Sequence, residues 1–310
     1  MLIRILGSAA GGGFPQINCN CRNCAGVRQG EPGLRPRTQS SVAVSRDGQA
    51  WLLLNASPDL RQQIAAAPQL APRRHATSRD SPIKAVILTN GDVDHIAGLL
   101  SLREGFAFTL YGSGRVLGTL EANSVFNVLD PDLVPRRRLE SGQTAELANA
   151  GVSLGLTVEA FPVPGKIALY LENPAAGRSL GTQEGDTIGL RIADTSSGAT
   201  FFYIPGCAGM DDGLAARLHG AQLVLFDGTL YSDDEMVAQG LSSKTGKRMG
   251  HISMSGADGA MAAFRGLNVA RRVFVHINNS NPVLREDSPE HTEVEEAGWE
   301  IAFDGMEISL

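Results

Sequence analysis

The densest chemistry in the sequence lies in Thr89-Asn90-Gly91-Asp92-Val93-Asp94-His95, where two carboxylates and an imidazole fall within four residues. Asp92, Asp94 and His95 can bind a divalent metal or move protons. The same aspartates can instead cap the helix-like segment that follows. A second concentration is Asn18-Cys19-Asn20-Cys21-Arg22-Asn23-Cys24, a C-x-C-x-x-C array. Thiolates from Cys19, Cys21 and Cys24 suit one tetrahedral zinc at about 2.3 Å from each sulfur. A fourth ligand must come from elsewhere, and His276, Asn279 and His251 are the candidates. If protein supplies it, the site is closed and structural.

Other candidate groups stand where apolar runs end. His276 follows Val273-Phe274-Val275, and Asp227 follows Leu223 to Phe226. In open α/β sheets ligands bind at the carboxyl ends of strands. His276 therefore reads as a ligand, and Asp227 as an acid–base group or an ordinary turn aspartate. His251, in Gly250-His251-Ile252-Ser253, is either a helix cap or a cavity residue. Cys207 reads as a small buried side chain, with a thiolate reaching the metal as the alternative. His75, His219 and His291 read as surface residues.

The elements that must position these groups follow from periodicity. Ala85 to Leu88 is a buried strand running straight into the Asp–His cluster. Strands are also expected at Leu2–Leu6, Ser40–Ser45, Trp51–Asn55, Phe108–Tyr111, Val152–Phe161, Ile167–Leu171, Gly189–Ala193, Ala199–Ile204, Leu223–Phe226 and Arg272–His276. Helices are expected at Asp59–Ala67, Ser113–Ala122, Asp212–Leu218, Ser255–Phe264 and Glu290–Ala297. Cys19 to Arg37 reads as irregular. The pattern is α/β, two strand-rich halves packed together with helices outside, in one domain over residues 1–310.

Composition narrows the function. The chain has 310 residues, 43% hydrophobic content and a net charge of −6. Without a basic block it is not expected to bind nucleic acid. No apolar stretch approaches the roughly 20 residues that span a bilayer, and the N-terminus lacks the look of an export signal. Cytoplasm is the expected location, where thiols stay reduced. The sequence leaves a homodimer open.

These segments together resemble the metallo-β-lactamase superfamily. Asp94-His95 matches the end of its H-x-H-x-D-H motif, while Asn90 and Asp92 replace the two leading histidines. Gly11-Gly12-Gly13-Phe14-Pro15-Gln16 leading to Asn18-Cys19-Asn20-Cys21, Val163-Pro164-Gly165-Lys166, Gly250-His251-Ile252-Ser253 and His276-Ile277-Asn278-Asn279-Ser280-Asn281-Pro282 narrow the likeness. They resemble the family of pyrroloquinoline quinone biosynthesis B proteins, nearly end to end. The resemblance implies a metallo-β-lactamase-like four-layer αββα sandwich with metal at one edge of two facing sheets.

Its departures carry further implications. Without the two leading histidines the first metal site of hydrolytic relatives cannot form. The bridging aspartate of those relatives falls near Gly206-Cys207, and neither residue is a carboxylate. What remains is Asp94, His95 and His276, with or without Asp92, two imidazoles and one or two carboxylates in an open set suited to non-haem Fe(II), Mn(II) or Zn. Some relatives use a histidine three residues after His276 for the cysteine zinc. That position is Asn279 here, so His276 could complete the zinc site instead, although the active site is favoured.

The family implies oxidative chemistry on a small molecule, hydroxylation of the tyrosine ring of a cross-linked Glu–Tyr precursor. Fe(II) would be held by Asp92 or Asp94, His95 and His276. His251 would be the acid–base partner of the phenol, Asp227 would orient it or take a proton, and arginines near the glycine loop would anchor the amino-acid groups. The alternatives are a carrier that releases the finished quinone and a metal-dependent hydrolase of a small phosphodiester or ester.

Overall fold

The protein was analysed as a computed structural model that describes residues 1–74, 78–179 and 181–310. His75 lies outside the described residues. Among the described residues, fourteen strands form two seven-stranded sheets. In chain order they are β1 (Leu2–Gly7), β2 (Ser41–Ser45), β3 (Trp51–Leu54), β4 (Ile83–Ile87), β5 (Thr109–Gly112), β6 (Arg136–Arg138) and β7 (Thr144–Asn149). There follow β8 (Val152–Pro162), β9 (Ile188–Asp194), β10 (Thr200–Ile204), β11 (Leu223–Asp227), β12 (Arg271–Val275), β13 (Glu300–Ile301) and β14 (Glu307–Ser309).

The first sheet runs β14-β1-β2-β3-β4-β5-β6 and the second β13-β12-β11-β10-β9-β8-β7. Both obey one rule. Strands β14 to β3 pair antiparallel and β3 to β6 parallel. In the second sheet β7 to β10 pair antiparallel and β10 to β13 parallel.

Three cores make this a four-layer αββα sandwich. Inward residues such as Ile3, Val44, Leu52, Ile87, Leu190, Tyr203 and Val275 pack sheet on sheet. Outward residues of the first sheet, Leu53, Val86 and Leu110, meet Leu60, Leu99 and Leu117 from helical segments. Outward residues of the second, including Phe226 and Phe274, meet Phe264 and Trp299. Trp299 stacks on Phe274 with centroids 3.9 Å apart. Strands covered on both faces need apolar side chains at every position, which is why WLLL and AVIL are continuous runs without alternation.

Three local expectations need correction. Cys19–Arg37 is not irregular throughout, since Arg22–Gln29 is a helix. Its N-cap is a thiol, Cys21, which accepts from the Cys24 N–H, so the usual Ser, Thr, Asp or Asn signal is missing. Ile167–Leu171 is not a strand, because Leu169–Leu171 forms a 3₁₀ turn with its apolar side chains largely outside the core. Only Ala260–Ala263 of the expected 255–264 helix forms. Gly256 takes φ 86°, and a Cβ on Gly259 would lie 2.0 Å from the Ser255 carbonyl, so a tight turn occupies those residues.

The parallel halves aim their carboxyl ends at one shared edge. There the Ile188 N–H donates to the Thr89 carbonyl at 2.9 Å, tying the sheets together. Asn55, at φ 62°, exchanges hydrogen bonds with Thr89 and so fixes the turn that leaves β4. The short helix Val93–Ile96 then crosses the backbone after β3, with Ala56 donating to the His95 carbonyl at 2.7 Å and Gly98 to the Ala56 carbonyl at 2.9 Å. A Cβ at Gly98 would sit 2.0 Å from the Ser57 carbonyl. Gly98→Ala is expected to cost about 3 kcal/mol, the upper end of the usual overpacking range, and to displace His95. A lowered Tm together with reduced metal content would show it, and an unchanged Tm would refute it.

Candidate metal centre and active site

Residues that close β4 and β12 meet at this edge. Asp94 Oδ2 lies 3.0 Å from His276 Nε2 and 3.8 Å from His95 Nε2. His95 Nδ1 is 2.7 Å from Asn90 Oδ1, which also accepts from the Asp92 N–H at 3.0 Å. An oxygen already accepting from a backbone N–H must be an acceptor, so His95 carries its proton on Nδ1. Its Nε2 is then a bare lone pair, buried and without a hydrogen-bond partner. A buried nitrogen facing a carboxylate and a second imidazole, with nothing to satisfy it, fits a metal cation.

Backbone geometry marks the same place. His276 is a non-glycine residue at φ 59°, an uncommon conformation at the end of a buried strand. Thr229 accounts for it in part, since its hydroxyl lies 3.0 Å from the His276 carbonyl and 2.8 Å from His276 Nδ1.

Electrostatics follow from burial and pairing. Burial pushes His95 down to about 4, with the Asp94 charge opposing. His276 moves the other way: burial disfavours its charge, but the Asp94 hydrogen bond together with the charges of Asp94, Asp227 and Asp92 outweighs that. Burial alone would raise Asp94, yet the neighbouring His95 and His276 hold it well below the usual carboxylate range. Asp94 is therefore ionised and His95 neutral at physiological pH, the forms a metal requires.

Asp92 is not part of this cluster. It stands at the N-cap of the His95 helix without a side-chain cap bond, and its Oδ1 accepts weakly from the Leu169 N–H at 3.3 Å. Asp92 is thus the N-cap residue through its backbone and not its side chain, and its carboxylate lines the cavity outside the close Asp94–His95–His276 group.

Asp227 and His251 form a separate pair beside His276. His251 Nδ1 lies 2.8 Å from Asp227 Oδ2, which also accepts from the Cys207 N–H at 2.8 Å. Asp227 Oδ1 accepts from the Thr229 N–H at 3.0 Å and hydroxyl at 2.7 Å. Asp227, His251 and His276 are close enough to hold an ion. Both Asp227 oxygens are already engaged by fixed donors, however, so its geometry is that of an orienting carboxylate. Burial would raise Asp227, but the His251 charge and hydrogen bond, with His276 and Thr229, together outweigh this and keep it low. Cys207 takes no part: its thiol donates to the Gly209 carbonyl at 3.0 Å, and burial pushes it up to about 12.

The cysteines form a distinct centre. Cys19, Cys21 and Cys24 present their sulfurs to one another, and the Asn279 side-chain amide lies 3.1, 3.6 and 3.3 Å from them in that order. Of the three candidates for a fourth ligand, Asn279 is the one beside the thiols, while His276 and His251 are turned to the other site. The donor set fits a zinc ion: three sulfurs with an amide whose oxygen can turn inward. For Cys21, burial works against the thiolate, but the Cys24 N–H and the adjacent thiols outweigh it and lower its pKa.

One buried carboxyl supports the loop that lies between the two centres. Glu235, 5% exposed, accepts from Ser280 Oγ at 2.5 Å and from the Tyr231 N–H at 2.7 Å. Ser280 in turn accepts from Asn278, which lines the cavity. Sequence reasoning missed Glu235, Thr229, Asn90 as an orienting group, and the cavity residues Lys166, Lys244 and Arg248. Only Thr229, two residues beyond a strand-ending aspartate, carried a local signal. Two of the arginines near the glycine loop are engaged by backbone carbonyls and do not line the cavity. Arg28 serves the Cys19 and Gln16 carbonyls, and buried Arg37 serves the Ala302 carbonyl. His291 is also not a surface residue, since its Nδ1 is bonded to the Val283 carbonyl at 2.7 Å in a half-buried position.

Comparison with known proteins agrees with this geometry. The β-lactamase superfamily domain matches residues 50–277. Coenzyme PQQ synthesis protein B of Methylobacterium radiotolerans is 51% identical over 310 residues, covering 100% of both chains. That of Xanthomonas oryzae pv. oryzae is 51% identical over 311 residues, again over 100% of both. The crystal structure of Zn(2+)-bound PqqB from Methylobacterium extorquens superposes with a TM-score of 0.94 at 50% identity over 100% of each chain. A diphosphatase of the PhnP family shares the fold at a TM-score of 0.67 and 21% identity. Among the described residues no helix is long and apolar enough to cross a membrane.

Three outcomes test the site. Asn90→Ala is expected to lower metal affinity at the His95 centre by about 10–100-fold, read by competition with a chelating dye; unchanged affinity would reject the orienting role. Cys24→Ser is expected to lose the cysteine-bound ion while the other is retained, read by metal analysis per chain. Burial raises Glu235 to about 7, so the folded state keeps a proton that the unfolded chain has lost. Its contribution to stability thus falls as pH rises from the ordinary carboxyl range through about 7. Glu235→Gln should flatten the decline of Tm across that window, and parallel wild-type and variant curves would contradict it.

Proposed function

The chain belongs to the coenzyme PQQ synthesis protein B family within the β-lactamase superfamily, and on that basis we propose that it acts in pyrroloquinoline quinone biosynthesis as a metal-dependent oxygenase. The proposed substrate is a cross-linked Glu–Tyr diamino acid, and the reaction is hydroxylation of its tyrosine ring. The observation that carries the reading is the buried, unpartnered His95 Nε2 facing Asp94 and His276. Two imidazoles and one carboxylate make an open ligand set, which suits Fe(II) among divalent metals. Asn90 and Cys207 stand where a second ion would need ligands, which disfavours a two-metal hydrolase.

Asp94, His95 and His276 would hold the ion, and Cys19, Cys21, Cys24 and Asn279 a structural zinc. A bound ferrous ion supplies positions at which dioxygen and the substrate phenol can meet. Asp227 holds the Nδ1 proton of His251, leaving Nε2 free to take the phenol proton and later return it. Insertion converts a ring C–H to C–OH with one atom of O2. The other leaves as water, with two protons and two electrons from an external reductant. Cavity walls around the site, with a volume of about 400 Å³, suit a small molecule.

Anaerobic loading with Fe(II), then exposure to O2 and ascorbate with the Glu–Tyr diamino acid, is expected to add one or two oxygen atoms by mass. Asp94→Ala and His95→Ala should abolish that gain. A wild-type mass that does not change would sink the oxygenase reading. Tight binding of the finished quinone, unaffected by either substitution, would favour a carrier.

A further inference from the structure

The cavity beside the Asp94–His95–His276 cluster has a second wall that the chemistry above leaves unused. Lys166, Lys244 and Arg248 line it together with Glu172. Glu172 binds the Arg248 guanidinium through both oxygens, at 3.3 and 3.1 Å, and the Lys166 ammonium at 3.6 Å. Lys244 forms no salt bridge among the described residues, although its charge reaches Glu172. Three cations therefore face one carboxylate, and two positive charges are left uncompensated.

Lys166 is built into place. The Thr187 hydroxyl donates to its carbonyl at 3.1 Å. Gly250, at φ 87°, makes room for its stem, since a Cβ there would lie 2.8 Å from Lys166 Cγ. The next residue is His251, so the cationic wall and the acid–base imidazole share one backbone turn. Leu169, Met236 and Met249 add apolar surface to the same cavity, and thioethers adapt well to flat rings. The opposite end carries Asp92 and Asp94, which repel carboxylates. A ligand with an aromatic body and two anionic groups matches this polarity in one orientation only.

We propose that Lys166, Lys244 and Arg248 form a subsite for two substrate carboxylates, turning the aromatic ring toward His251 and the Asp94–His95–His276 cluster. The identity of the substrate rests on the function proposed above; the charge requirement of the subsite does not.

Calorimetric titration of the full-length zinc-loaded protein, without oxygen, tests this with the Glu–Tyr diamino acid and its fully esterified form. The acid is expected to bind at least about tenfold more tightly than the ester, and more weakly as salt rises. Lys244→Gln and Arg248→Gln should each weaken the acid by about tenfold and leave the ester unchanged. Glu172→Gln should tighten the acid a few-fold by releasing two cations, a gain that damaged folding does not produce. Equal binding of acid and ester, no binding of either, unchanged affinity in the lysine and arginine variants, or weaker binding in Glu172→Gln would overturn the subsite. Turnover is scored separately. Charge-selective binding without oxygen incorporation keeps the subsite and rejects the oxygenase, whereas incorporation with KM unmoved in Lys244→Gln does the reverse.

Discussion

The contact between Asp94 and His276 is the constraint around which this molecule is arranged. One residue leaves the first sheet after β4, the other ends β12 in the second, and 3.0 Å separates their polar atoms. That spacing depends on the whole sheet-on-sheet core, from Ile3 and Leu52 on one side to Leu190 and Val275 on the other. His95 places a third potential ligand atom, its unsatisfied Nε2, 3.8 Å from the same carboxylate oxygen. Burying such a group uncompensated is costly. A cation held between the sheets relieves that cost and turns it into binding.

Three imidazoles around the cavity are oriented in one way, each by its Nδ1. Asn90 holds His95, Thr229 holds His276, and Asp227 holds His251. The partners differ in charge, and that difference assigns the roles. A neutral amide and a hydroxyl would leave His95 and His276 to act as ligands, while the Asp227 carboxylate fixes the His251 ring through its Nδ1. Asn90 thus serves the site although it cannot serve as a histidine would in hydrolytic relatives.

The loop from His276 to Asn281 joins the two centres. His276 faces the active cluster, Asn278 the cavity, Asn279 the thiols and Ser280 the buried Glu235. Asn23, one residue before Cys24, donates to the carbonyls of Asn279 and Asn281 at 3.1 and 2.9 Å. A zinc ion at the cysteines would therefore stiffen the very loop that delivers His276. The cysteine centre and the Asp94–His95–His276 centre thus share one loop.

Much of this was legible in the residues taken alone. Doubly covered strands announce themselves as unbroken apolar runs, so Trp51 to Leu54 and Ala85 to Leu88 could be placed without coordinates. Cys19, Cys21 and Cys24 lie close enough in the chain that any compact turn brings their sulfurs together. Asp94 and His95 sit directly after a strand for the same local reason. Where local signals were absent or misleading, reading failed: a thiol in place of the usual helix cap hid Arg22–Gln29, and exposed apolar residues at Leu169–Leu171 mimicked a strand. Contacts between distant segments were beyond reach altogether. The choice of Asn279 over His276 at the thiols, the exclusion of Asp92 from the cluster, and the meeting of Lys166 with Lys244 and Arg248 each depend on how two sheets dock. Docking is decided by the summed packing of residues far apart in the chain, and periodicity within a short window carries no record of it.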